Sequence, residues 1–189
     1  GVIRAVAAGI RRWRLAPLVV DPVMVATSGD RLLEEDAVAA LVADLLPLAA
    51  LVTPNLPEAE VLAGHAIRDR DDLERAARRV ADHGAATVLV KGGHRAVPGA
   101  SEEGEANDWL WDGSSLHTIE GPRIETTSTH GTGCTLSAAI AVRLAAGDDP
   151  LAACIAAKAY LAGALSAAEP LGNGRGPVDH LWRAAAPVR

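Results

Sequence analysis

An α/β sandwich built on a mainly parallel sheet is the fold this sequence predicts, and three observations predict it. Short apolar runs at 18–20, 50–53 and 87–90 alternate with stretches of helical periodicity, the βαβ rhythm of a parallel sheet. Two further apolar runs, 108–111 and 115–119, flank Asp112-Gly113, a hairpin turn signature. Beyond Gly131 the chain is alanine-rich and reads as helix. No internal repeat or linker breaks this order, so residues 1–189 read as a single domain.

Taken in order, Val2, Val6, Ile10 and Trp13 recur at helical spacing among Arg4, Arg11, Arg12 and Arg14, so the chain opens within a helix. The run 18–20 ends in Asp21-Pro22. Open α/β sheets bind ligands at the carboxyl ends of their strands, so an acid there suits a site; it also suits a turn before proline. Ser28-Gly29-Asp30 is turn chemistry, and 34–46 is the next amphipathic helix. The run 50–53 leads into Pro54-Asn55-Leu56-Pro57-Glu58. An Asn, a proline and acids in that order cap a helix, while a carboxylate at a strand end can equally hold Mg²⁺ through water. Residues 71–83 read as a charged, exposed helix closed by Gly84. The run 87–90 ends in Lys91-Gly92-Gly93-His94, where the lysine either neutralises phosphate charge or sits solvated on the surface. A polar, acidic loop at 96–107 precedes the hairpin.

A β-like run at 123–126 then feeds Thr127-Ser128-Thr129-His130-Gly131-Thr132-Gly133-Cys134-Thr135 and a helix at 136–146. Gly131 and Gly133 at a helix start leave backbone N–H groups bare and let another molecule approach closely. The helix dipole there suits a phosphate or a developing oxyanion. Cys134 falls in the first turn, where the dipole favours thiolate, which makes it a candidate base. A tight packing joint and a small buried thiol are the plain alternatives. The helix at 150–168 carries Cys154 in the core and Lys158 on its exposed face. Residues 172–180 form a glycine-rich loop before a short final helix.

Composition bounds the function. At 189 residues and 49% hydrophobic, with mean hydropathy +0.15, the chain is globular and large enough for a real core. A net charge of −6 and a pI near 5.5 argue against nucleic acid as a partner. No apolar run reaches ~18 residues without a charge, so no membrane span is expected. Two cysteines, both in helical segments, make neither a disulfide framework nor a metal cluster, and a reducing cytoplasm is the default setting.

Five motifs in one order carry a resemblance: Asp21-Pro-Val-Met, Thr53-Pro-Asn55-x-x-Glu58-Ala, Val-Lys91-Gly-Gly-His94, Thr129-His-Gly-Thr-Gly-Cys134-Thr and Gly176-Pro-Val-x-His180. Together they resemble the hydroxymethylpyrimidine (phosphate) kinases of thiamine synthesis, in the ribokinase superfamily. The resemblance implies a ribokinase-like three-layer sandwich. It also implies that the family's first strands and glycine-rich substrate segment lie upstream of Gly1, so that this chain alone lacks part of the pyrimidine pocket. It assigns Cys134 as base and Lys91 to the transferring phosphoryl group. Gly131, Thr132, Gly133 and Asn55 fall to the anion hole and ATP phosphates, and Glu58, Thr53 and Asp21 to the metal. ATP and Mg²⁺, a small pyrimidine substrate and a homodimer follow from it. Cysteine at the base position also matches cysteine-type pyridoxal kinases, and a non-catalytic fragment or binding partner is a third reading.

Overall fold

Among the described residues, five strands lie side by side in sequence order. β1 (Val19–Val20), β2 (Leu51–Val52) and β3 (Thr87–Lys91) are parallel; β4 (Asp108–Trp111) and β5 (Leu116–Ile119) continue the sheet antiparallel. The structure is a computed structural model that describes residues 1–24, 32–93, 96–102 and 104–184. The turn expected at Ser28-Gly29-Asp30 and the motif residue His94 lie outside the described residues.

Strand side chains alternate between faces, and here both faces are buried. Val52, Val88, Val90, Trp109 and Trp111 point into one core, which α2 (Glu35–Ala40), α3 (Leu56–Ala63) and α4 (Arg70–Ala81) cover. Leu51, Leu89 and Leu110 point the other way, onto α5 (Thr132–Ala145) and α6 (Pro150–Ser166). Helices above and below one sheet make the α/β sandwich that the alternating runs predict, in the three layers that the resemblance implies. α1 (Val2–Trp13) packs on the segment after α2, where Arg11 donates to the carbonyl of Asp44 at 2.9 Å. No helix among the described residues is long and apolar enough to cross a membrane.

Several expected elements differ in detail. The helix expected at 34–46 is α for six residues, then passes through a π-turn (Leu41–Leu45) and a 3₁₀ turn (Leu46–Leu48). Pro47 lacks the N–H that an unbroken α ladder would use. α4 is not wholly exposed: Leu73, Ala76, Ala77 and Val80 are buried, and its arginines occupy the other face. Residues 123–126 form no strand, only a bridge from Glu105 to Pro122 just before them. α5 starts at Thr132, four residues before the expected 136, because the glycine turn itself initiates the helix. Residues 180–183 make turns instead of a helix.

Lys158 is the largest correction. Its side chain is only 15% exposed and is bound to Asp108 and to the carbonyl of Ala106. In a helix this rich in alanine the hydrophobic pattern is nearly the same all round, so periodicity could not say which face was buried.

Trp109, on β4, is fully buried in the core that the α2–α4 layer covers. Trp109→Ala is expected to lower unfolding free energy in urea by about 3–5 kcal/mol. A loss below about 1 kcal/mol would show that this layer does not pack as described.

Candidate active site

Asp21, Thr53 and Lys91 stand at or just past the carboxyl ends of β1, β2 and β3, three adjacent parallel strands. Adjacency follows from the sheet order alone, and their side chains meet. Asp21 Oδ1 accepts from Lys91 Nζ at 2.7 Å and from the Thr53 hydroxyl at 3.2 Å. The ion pair is largely buried, each side chain 15% exposed.

The start of α5 sits over this trio. The Thr53 hydroxyl lies 2.9 Å from the Ser137 hydroxyl, and Ser137 in turn donates to the carbonyl of Gly133 at 3.0 Å. A Cβ on Gly133 would stand 3.5 Å from both Asp21 Oδ2 and Lys91 Nζ. Gly131 takes the N-cap position with φ +82°, a left-handed conformation natural to glycine. It contributes no side-chain cap, so the first-turn N–H groups of Thr132, Gly133 and Cys134 remain available to an anion. A lysine ammonium and a bare helix start thus converge at one end of the sheet.

Asn55 and Glu58 lie at the start of α3, in a reciprocal capping box. Asn55 Oδ1 accepts from the Glu58 amide at 2.8 Å, and Glu58 Oε2 accepts from the Asn55 amide at 2.8 Å. The other oxygen, Glu58 Oε1, accepts from the amide of Met24 at 3.0 Å. Glu58 is 2% exposed, so its charge is balanced mainly by backbone dipoles. It staples the loop after β1 to α3, and Val23, a β-branched residue with φ +46°, turns that loop toward it. Asn55 also bridges Lys91, and the Lys91 amide donates to the carbonyl of Pro54 at 2.8 Å. Among the described residues no three His, Cys, Asp or Glu side chains gather as a metal site.

The fifth motif braces the turn from behind. The amide of His130 donates to the carbonyl of Gly176 at 3.0 Å, and His130 forms a bridge with Pro177. A Cβ on Gly176 would lie 2.8 Å from the Ser128 hydroxyl, so the loop passes that close only because it is glycine. Cys134 is exposed in the first turn of α5, and Cys154 is buried. Ser137 went unnoticed in the sequence; it is buried one turn into an apolar helix, as is Thr135 beside it.

The family described as phosphomethylpyrimidine kinase matches residues 1–179. Over 184 residues the chain is 54% identical to hydroxymethylpyrimidine/phosphomethylpyrimidine kinase of Rhizobium meliloti (strain 1021), covering 96% of this chain and 66% of that protein. Over 182 residues it is 47% identical to the thiamine biosynthesis bifunctional protein ThiED of Geobacter sulfurreducens, covering 96% of this chain and 36% of that protein. The chain therefore spans about two thirds, or less, of the length of these curated relatives. The structure superposes on an ADP complex of Bacillus subtilis pyridoxal kinase with TM-score 0.85 at 35% identity, over 96% of this chain and 67% of that one. This chain belongs to the phosphomethylpyrimidine kinase family.

The two thiols differ in a measurable way. Burial, reinforced by the negative charges of Asp108 and Asp149, pushes the Cys154 thiol up to about 12. An unfolded cysteine titrates near 8.5, so the folded state keeps this proton longer; the stability it lends is complete below about pH 8.5 and fades as pH rises toward 12. A chromogenic thiol reagent at pH 8 is expected to titrate Cys134 alone in the native protein and both cysteines in urea. Two fast-reacting thiols without denaturant would contradict the burial.

Proposed function

We propose, from membership of this family, that the protein containing this chain is an ATP-dependent kinase. Its substrates in this reading are a hydroxymethylpyrimidine and the corresponding monophosphate, on the route to thiamine. The observation that carries it is the convergence of Lys91 with the uncapped, glycine-initiated start of α5. Such an arrangement suits a transferring phosphoryl group, whose charge must be met by preorganised donors.

The substrate oxygen attacks the γ-phosphorus of ATP in line, the bond from that phosphorus to the ADP oxygen breaks, and the attacking hydroxyl gives its proton to Cys134. In the second reaction a phosphate oxygen is the nucleophile. Lys91 exchanges Asp21 Oδ1 for phosphate oxygens as ATP arrives, and the first-turn amides of α5 take up the charge that develops. One such donor is commonly worth about 3 kcal/mol, so the turn counts for as much as the base. Thr53 acts through Asp21, whose carboxylate it orients.

Mg²⁺ belongs to this reading. It keeps several waters and usually takes one or two carboxylates beside substrate phosphates, so the lack of a protein cage is no obstacle. Asp21 is the side chain suited to hold it, and Glu58, with both oxygens engaged by amides, suits contact through water. Bound there, the ion would neutralise phosphate charge.

Pyridoxal is the second reading, because the pyridoxal kinase of Bacillus subtilis superposes better (TM-score 0.85) than the phosphomethylpyrimidine kinase of Clostridium difficile 630 (0.70). Sequence weighs more for specificity, and there the Rhizobium meliloti pyrimidine kinase leads, at 54% against 35% for the Bacillus subtilis pyridoxal kinase.

ADP release with hydroxymethylpyrimidine, its monophosphate and pyridoxal decides between them. The pyrimidines are expected to give the highest kcat/KM; faster turnover of pyridoxal would replace the substrate, and no turnover of any would sink the kinase reading. In the same assay Cys134→Ser is expected to lower kcat by roughly 10²-fold or more, and near-normal turnover would remove the thiol as base.

Glu58→Gln turns one buried acceptor into a donor facing an amide. It is expected to cost about 1–3 kcal/mol of stability and to raise the Mg²⁺ concentration for half activity. A Mg²⁺ titration identical to wild type would leave capping as the sole role of Glu58.

A further inference from the structure

We propose that Lys158 and Asp108 are positioning residues for the transfer, a pair that sets the strand end bearing Lys91; this rests on the kinase reading above. Neither touches the site. Asp108 stands opposite Lys91 in the β3–β4 ladder, and its two carboxylate oxygens serve different masters. Oδ1 accepts from the amide of Gly92, the residue directly after Lys91, at 3.0 Å. Oδ2 accepts from Lys158 Nζ of α6 at 2.6 Å. The same ammonium donates to the carbonyl of Ala106 at 2.5 Å.

The strut reaches a second segment. The stem of Lys158 lies across Gly121, where a Cβ would stand 2.5 Å from Lys158 Cε. Gly121 is held from both sides: its carbonyl accepts from the amide of Ala106 at 2.8 Å, and its amide donates to Asn107 Oδ1 at 3.1 Å. From Gly121 the chain runs on to the glycine turn. One side chain of α6 therefore fixes the base of both strands of chain that deliver phosphate-binding groups, Lys91 on one side and the start of α5 on the other.

Stability is a poor reason for this pair. Lys158 and Asp108 have side chains only 15% and 9% exposed, and burying two charges costs several kcal/mol per ion before their attraction is counted. Replacing such a pair with apolar residues is often neutral or stabilising. What charges with fixed hydrogen-bond geometry supply, and alanines do not, is a defined position. Phosphoryl transfer needs that, since a displacement of about 1 Å can cost ~10²-fold in rate.

The test measures amide hydrogen exchange and turnover in the double variant Asp108→Asn/Lys158→Met, which removes both charges so that neither is left buried alone, while the new side chain at position 108 keeps an oxygen for the Gly92 amide. Exchange of the Gly92 amide is expected to rise about tenfold or more while the α6 core amides and the thermal midpoint stay near wild type. The kcat is expected to fall about 10–100-fold with KM for the pyrimidine within about threefold. Unchanged Gly92 exchange with unchanged kcat overturns the proposal, as does a uniform rise in exchange with a lowered midpoint, which marks a purely structural pair. Should that double variant not fold, Asp108→Asn/Lys158→Gln, equally uncharged and still able to donate to the Ala106 carbonyl, takes its place with the same outcomes. If the wild-type protein turns over none of the substrates, the kinase reading fails, and Gly92 exchange alone still decides whether the pair sets the strand end.

Discussion

The upper end of this sheet depends on one oxygen atom. Asp21 Oδ1 receives both the Lys91 ammonium and the Thr53 hydroxyl, and so ties three parallel strands together at their carboxyl ends. Strands of two residues, as β1 and β2 are, contribute little ladder of their own. Their ends are placed by side chains. The Ser137 hydroxyl, 2.9 Å from that of Thr53 and donating to the Gly133 carbonyl, brings the start of α5 against this point. A largely buried lysine needs a counter-charge, and Asp21 supplies it.

Around that point the chain keeps two helix starts of opposite character. α3 is fully capped: Asn55 and Glu58 satisfy each other, and Glu58 satisfies Met24 as well. α5 is left uncapped, with glycine where a Ser, Asp or Asn would normally accept from the first-turn amides. The difference separates a helix end closed by its own side chains from one whose amides are open to an anion. The left-handed φ of Gly131 keeps the approach to those amides free of any side chain.

How much of this was legible follows from the kind of signal each feature sends. The strands, the hairpin at Asp112-Gly113 and the helix cap at Asn55 are local, and local residue chemistry announced them. That Glu58 caps α3 was readable; that a second amide, from Met24, would occupy its other oxygen was not, since the partner is 34 positions away. The pairing of Lys91 with Asp21 was hidden for the same reason, at a separation of 70. Lys158 was misplaced outright. Alanine-rich helices offer no amphipathic stripe, so only the tertiary structure says which side of α6 meets β4.

The reversal of strand direction at β4 has a practical side. Because β4 runs back down the sheet, the Asp112-Gly113 turn falls at the opposite pole from Lys91. The turn is self-contained: Asp112 accepts from the amides of Ser114 and Ser115 and from the His117 ring, and Gly113 adopts φ +99° on an exposed surface. Anything attached beside it, at Ser114 for instance, would hang where it disturbs neither the glycine turn nor the strand ends. The molecule thus offers its own handle, a fixed point for a dye, a surface tether or a grafted loop that reports on the protein without entering its chemistry.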